Sequence, residues 1–180
     1  TIYTHMTTDE LKSLQAPLKQ QYQSHPNTAL VTLRAEGRLG DQVSCNISTG
    51  RALVEAGLHP ATGGTGELAC SGDMLLEALV ACAGVTLKAV ATAIGITVRQ
   101  GSIKAEGDLD FRGTLGVAKD APVGFSTIRL TFNLDTDATS EQVETLIKLT
   151  KRYCVIYQTL QQPPALSLSI EVADPITTKV

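Results

Sequence analysis

The residues from Ala69 to Gly95, ACSGDMLLEALVACAGVTLKAVATAIG, form the longest apolar run in the chain and carry almost no charge. The run predicts a helix. Met74, Leu75, Leu76, Ala78 and Leu79 are good helix formers, and Gly95 supplies a left-handed stop. A side-chain oxygen at Ser71 or Asp73 is expected to cap the start, because the first N–H groups of a helix have no partners inside it. Apolar residues fall on nearly every face, so the helix is expected to be covered all round. About 20 apolar residues would also cross a bilayer. Glu77 and Lys88 inside the run, and the lack of a basic flank, favour a core helix and no membrane. Cys82 sits in its middle.

A helix like this needs a core around it. The chain has 180 residues, enough for one domain or two small intertwined lobes, and 43% of them are hydrophobic. Aromatics are only 4% and Trp is absent, so Leu, Val, Ile and Ala must fill the interior. A net charge of -3 and the lack of a basic run argue against nucleic acid as a partner. The opening TIYTHMTTDELK lacks a charged n-region and an apolar h-region, so no signal peptide is expected, and the cytoplasm is the expected compartment. Four cysteines are too few for a disulfide scaffold, and no C-x-x-C or Cys/His spacing points to a metal. In that compartment the cysteines are either buried hydrophobes or redox-active thiols.

Before the apolar run, Thr7 to Ser24 reads as an amphipathic helix. Thr7 and Glu10 have capping-box spacing, Leu11, Leu14, Leu18 and Tyr22 share a stripe, and Pro17 is expected to kink or divide it. Ala29 to Ala35 alternates as a strand, Gly37 to Asp41 reads as a turn, and Val43, Cys45 and Ile47 alternate again, which together predict a hairpin. His59-Pro60 and Gly63-Gly64-Thr65-Gly66 mark a loop before the apolar helix. That loop has neither a Lys-Ser/Thr signature nor a dinucleotide fingerprint, so no bound cofactor is expected.

After the helix, Ile96 to Phe111 and Phe125 to Leu134 read as strands, with bulges or bends expected at Gly101 and Gly107. The Arg112–Gly124 connection is long for a hairpin and is a candidate cover for a pocket. Thr139 to Tyr153 is a second helix. Thr139 and Gln142 form its capping box, and Val143, Leu146, Ile147 and Thr150 form a stripe that runs on to Cys154. Val155 to Leu160 adds a turn or two, and Leu166 to Val172 alternates as a last strand. Strand runs kept apart from helix runs predict an α+β domain.

The segment D-M-L-L-E-A-L-V-A-C ends on Cys82, and K-R-Y-C-V-I-Y follows about seventy residues later around Cys154. Together with the element order, these resemble the OsmC/Ohr family of osmotically inducible and organic hydroperoxide resistance proteins. The resemblance covers roughly residues 28–172. It leaves residues 1–27 as an N-terminal helical extension and makes residues 28–180 an OsmC-like domain. It implies an intertwined homodimer of curved antiparallel sheets packed on long central helices. It also implies thiol-dependent reduction of organic hydroperoxides, with a small or protein dithiol as reductant. By position Cys82 corresponds to the peroxidatic cysteine and Cys154 to the resolving one. Arg38, in Glu36-Gly37-Arg38, falls where the Ohr branch has its catalytic Arg in a Gly-Arg turn, and Arg34 and Arg51 compete for that place.

Two positions depart from the family pattern. Gly72 stands where the Ohr branch has a Glu that contacts the Arg, and Val155 follows the second cysteine where the family often has Pro. Glu77 is a poor substitute for that Glu, since five residues place it about 140° from Cys82 around the helix.

A peroxidase cysteine must react as the thiolate. Mid-helix burial opposes that, and Cys82 is about three turns from the helix start, so a nearby cation is expected. The rival expectation is a non-catalytic OsmC-like dimer that binds a small apolar ligand in a pocket beside Cys82. Cys70, just ahead of the helix, is a third thiol that reads as a small buried loop residue.

Overall fold

A computed structural model describes residues 7–25, 36–39, 44–48, 53–116 and 118–171. The first helix, α1 (Thr8–Ser24), starts at the predicted capping box. Thr7 N–H donates to Glu10 Oε2 at 2.7 Å, and Glu10 N–H donates to Thr7 Oγ1 at 3.2 Å. Pro17 does not divide it: the helix is continuous from Thr8 to Ser24.

Strands β1 (Glu36–Leu39), β2 (Ser44–Ser48), β3 (Leu53–Gly57) and β4 (Ala69–Cys70) form one sheet in that order. β1 and β2 are the predicted hairpin, antiparallel with Leu39 opposite Cys45. The strand assignment is displaced, however. Glu36–Leu39, whose Gly37 and Arg38 belonged to the predicted turn, is strand, while the predicted Ala29–Ala35 strand lies outside the described residues. β3 was not foreseen, and it pairs with β2 on one side and in parallel with the short β4 on the other.

β4 runs directly into the central helix α2 (Ser71–Ile94). Its end is as predicted: Gly95 has φ +72° and its N–H donates back to the last turn. Its start is not. Cys70 is the N-cap, and no side chain caps the helix there. The buried face carries Leu79, Ala83, Leu87, Val90 and Ala91. The opposite face is open, with Val85 74% exposed, so the expectation of cover on all sides is not met among the described residues.

Strands β5 (Val98–Asp108) and β6 (Thr127–Thr136) form a two-stranded antiparallel sheet. Ile128, Leu130, Phe132 and Leu134 point to one face, and the exposed alternate positions carry ion pairs such as Arg129–Asp108 and Arg99–Asp135. The bulge lies at Val98/Gln100 rather than at the glycines, because Gly101 and Gly107 pair in register with Leu134 and Ile128. Gly107 answers a different need: a Cβ there would lie 2.5 Å from the Phe125 ring. Between the strands the chain makes a single turn, α3 (Phe111–Thr114), capped by Asp110.

Helix α4 (Ser140–Tyr153) carries the predicted capping box, with both Thr139 and Gln142 contacts formed. It breaks at Cys154 and resumes as α5 (Val155–Gln161). Among the described residues two clusters form the core. One joins Leu87, Val90 and Ala91 of α2 to Val98 and Leu146. The other joins Leu79 and Ala83 of α2 to Cys154, covered by Ile103, Ile128 and Phe132. Each fully buried leucine contributes about 1.5–3 kcal/mol.

The predicted Leu166–Val172 strand is absent among the described residues. The segment is irregular to residue 171, and Leu166, Leu168 and Ile170 are 93%, 85% and 78% exposed. A strand exists only by pairing, and nothing in the described part of this chain pairs with it.

Candidate functional site: a thiol pair where two helices meet

Cys82 lies on α2 with its side chain half-buried, and Cys154 is 1% exposed at the break between α4 and α5. Helix periodicity carries both there. Leu79, Cys82 and Ala83 share the α2 face that meets Cys154, while Leu146, Thr150 and Cys154 continue the α4 stripe. The two thiols that are 72 positions apart in sequence are thus brought together: Cys82 packs against the cluster that holds Cys154.

The break at Cys154 has a cause and a consequence. Its backbone is extended (φ −73°, ψ 108°), so the chain turns before α5 begins. Cys154 N–H still closes the last turn of α4 on Thr150 O, and the next intrahelical bond runs from Gln158 N–H to Cys154 O. The Lys151 carbonyl, which Val155 would reach in a continuous helix, instead accepts from the Gln158 side chain at 2.7 Å. The N–H groups of Val155 and Ile156 are therefore free of the helix ladder, and their positive ends favour the Cys82 thiolate.

These contacts set the two thiols apart. Burial pushes Cys82 up, but the Ile156 N–H, the Cys154 thiol, the Thr86 hydroxyl and the Val155 N–H outweigh it and hold Cys82 below the ordinary thiol range. Cys154 goes the other way. Burial raises it, the Tyr157 N–H opposes, and donating to Cys82 raises it further. Cys82 is thus the better thiolate and Cys154 the proton-bearing partner.

The expected cation takes no part among the described residues, since no lysine or arginine there acts on Cys82. Arg38 is placed in β1 opposite Asn46, in a strand rather than the predicted turn, and its side chain lies outside the described part. Arg34 and Arg51 fall outside the described residues altogether. Asp73 lines a different cavity, of about 350 Å³, with His59, Cys70 and Phe111. That cavity also lies under the α3 connection, with the His59 ring stacked on Phe111 at 4.9 Å. Cys70 is half-buried there, twelve residues and so about 18 Å along the helix from Cys82. No three His, Cys, Asp or Glu side chains converge to hold a metal ion among the described residues.

Beside the thiol pair runs a groove of about 540 Å³ between β6, α4 and α5. Leu79, Leu130, Phe132 and Tyr157 line it and also pack against the thiol cluster. Lys151 stands at its polar side with its ammonium 5.6 Å from the centre of the Tyr157 ring.

The sequence reading missed the donors. Thr86 is four residues after Cys82, a spacing legible on any helix. The amides of Val155 and Ile156 leave no mark in composition, because their role depends on where α4 stops.

Residues 64–169 match the family of OsmC-like proteins. The chain belongs to that family. The OsmC-like protein from Mycoplasma pneumoniae superposes with a TM-score of 0.63 at 18% identity, covering 74% of this chain and 89% of its own. An organic hydroperoxide resistance protein from Elizabethkingia anophelis gives 0.59 at 18% identity, covering 74% and 91%. Another, from Legionella pneumophila, gives 0.58 at 17% identity over the same shares, 74% and 91%. At these identities the likeness establishes the OsmC-like α+β fold. No curated protein sequence matches the chain.

Proposed function

We propose that the protein is a thiol-dependent peroxidase that reduces organic hydroperoxides through a Cys82/Cys154 dithiol–disulfide cycle. The observation that carries this is the packing of Cys82 against Cys154 at the α4–α5 break, where their surroundings favour the thiolate at Cys82 and the thiol at Cys154. Cys82 thiolate attacks the distal oxygen of ROOH. An S–O bond forms, the O–O bond breaks, and the departing alkoxide takes a proton to leave as ROH, giving the sulfenic acid. The Cys154 sulfur then attacks Cys82, hydroxide leaves and is protonated to water, and the disulfide remains. The balance is two thiols and ROOH to disulfide, ROH and water. A dithiol, small or protein-borne, supplies the two electrons that reopen it.

The named relatives that are organic hydroperoxide resistance proteins support this reading, as does the apolar groove, which suits an alkyl group better than water. Arg38 remains a proposed further activator. The protein is taken to act in the cytoplasm, with residues 1–27 an extension outside an OsmC-like domain of residues 28–180. It is taken to act as a homodimer. The open face of α2, with Val85 74% exposed, and the unpaired apolar alternation of Leu166, Leu168 and Ile170 are surfaces a second copy would cover. By length and composition α2 also passes for a membrane span, with mean hydropathy 1.8, and packing on β5, α4 and α5 uses one of its faces.

The test is consumption of cumene hydroperoxide coupled to dithiothreitol. Wild type consumes it faster than hydrogen peroxide, and Cys82→Ser consumes neither. Equal, unsaturable loss in wild type and Cys82→Ser would overturn the proposal. In that case the 540 Å³ groove favours the second reading, a non-catalytic dimer that binds a small apolar ligand. A monomeric mass at micromolar concentration with the fold intact would overturn the homodimer.

A further inference from the structure

We propose that the groove between β6, α4 and α5 is a binding site for amphipathic acids, and that Lys151 is the residue that reads the acid. The groove holds about 540 Å³, within the roughly 300–1,000 Å³ usual for small-molecule sites. Ile128, Leu130 and Phe132 of β6 and Leu160 of α5 give it apolar walls. Among the described residues that line it, Lys151 is the only charged one. An apolar groove with a single ammonium fits one ligand chemistry: a hydrocarbon body that ends in a carboxylate.

The state of Lys151 supports that choice. Other cations on this chain already sit on carboxylates: Arg99 on Asp135, Lys104 on Glu106, Arg112 on Asp110 and Arg129 on Asp108. Lys151 has no carboxylate partner and no protein acceptor for its N–H groups among the described residues. Its ammonium stands instead 5.6 Å from the centre of the Tyr157 ring, which attracts it through the ring face and steadies it at the groove wall. The backbone beneath is fixed as well, because the Gln158 side chain donates to the Lys151 carbonyl at 2.7 Å. Three donors are thus held at the edge of an apolar surface with nothing in the protein to receive them.

A carboxylate would accept from that ammonium through a charge-assisted bond while its alkyl body leaves water along β6. A neutral alkyl molecule gains only the second part, and an alkylammonium is repelled. A bare inorganic anion gains only the first part, which salt screens at an exposed site. Leu130 and Tyr157 also pack against the thiol cluster, so the bound body lies beside Cys82 and Cys154. The assignment of Lys151 holds whether the groove seats a substrate or a ligand that never reacts.

The test uses the full reduced chain with octanoate, 1-octanol and octylammonium, each titrated calorimetrically at neutral pH and low salt. An exposed ion pair is modest, so octanoate is expected to bind about fivefold tighter than 1-octanol, with octylammonium weakest. Lys151→Met keeps the unbranched stem and removes the charge. It should bring octanoate down to the level of 1-octanol and leave 1-octanol within about twofold of wild type. Lys151→Arg should keep the preference, and added salt should narrow it. A thermal melt confirms that each variant is folded. Equal affinity for octanoate and 1-octanol in wild type would overturn the proposal, as would a preference that survives in Lys151→Met. Failure of all three probes to bind would also overturn it, and would point to a groove filled by a second copy of the chain. No peroxide is present, so the result is separate from whether Cys82 turns over.

Discussion

Replacing Val155 by proline tests whether backbone amides activate Cys82. The structure makes this substitution unusually clean. Val155 is the first residue of α5, where proline is readily accepted because its missing N–H has no partner in the helix. The residue before a proline must be extended, and Cys154 already is, with φ −73° and ψ 108°. The Val155 side chain is 67% exposed, so little packing is lost. The fold should be unaffected, within about 0.5 kcal/mol, which for a chain of this size is about 1–2 °C in melting temperature.

What changes is the donor. A hydrogen bond to a charged group is worth about 1.5–3 kcal/mol. Solvent replaces part of the Val155 N–H interaction with a half-buried sulfur, so about 0.7 kcal/mol is expected. That corresponds to about half a pH unit in the Cys82 alkylation midpoint, upward, because losing a donor to the thiolate disfavours it. Peptide-resolved alkylation with and without the substitution reads the shift, and a thermal melt confirms the fold. A midpoint that stays put or falls, with the melt unchanged, would refute the claim that the break at Cys154 activates Cys82.

Other outcomes follow from the same geometry. Because Cys82 is held below the ordinary thiol range and Cys154 above it, Cys82 should alkylate first as pH rises. Its reactivity should vanish only as pH falls through its lowered value, and peptide mapping across pH reads both. Arg38→Ala should slow Cys82 alkylation near neutral pH with the fold intact; an unchanged rate moves the search to Arg34 or Arg51, or leaves the helix donors alone. Leu146→Ala removes a fully buried side chain from the α2–α4 contact and should cost about 2–5 kcal/mol, seen as a melting point lower by roughly 4–20 °C.

Much of the site was written in one dimension. Cys82 lies in the one long apolar helix, and Cys154 continues the Leu146–Thr150 stripe, so their faces were legible from period alone. Their contact was not, because packing two helices is a long-range event that no local pattern encodes; the family resemblance supplied that expectation. Capping boxes at Thr7 and Thr139 were readable because side chain and backbone meet within three residues. Gly107 was misread as a bulge because its reason, the Phe125 ring, comes from a distant position. The turn expected at Gly37 and Arg38 failed for a related reason: glycine permits a turn, but the pairing of Arg38 with Asn46 makes it strand. Leu166 to Ile170 alternates as a strand should, and alternation names a face without naming a neighbour.

The central claim is that Cys82 and Cys154 form a redox pair. One equivalent of cumene hydroperoxide added to the reduced protein, followed by rapid alkylation and peptide mass spectrometry, tests it directly. The account predicts a Cys82–Cys154 disulfide in wild type and a Cys82 sulfenic acid in Cys154→Ser. Cys82 remaining reduced while Cys70 or Cys45 oxidises would contradict it.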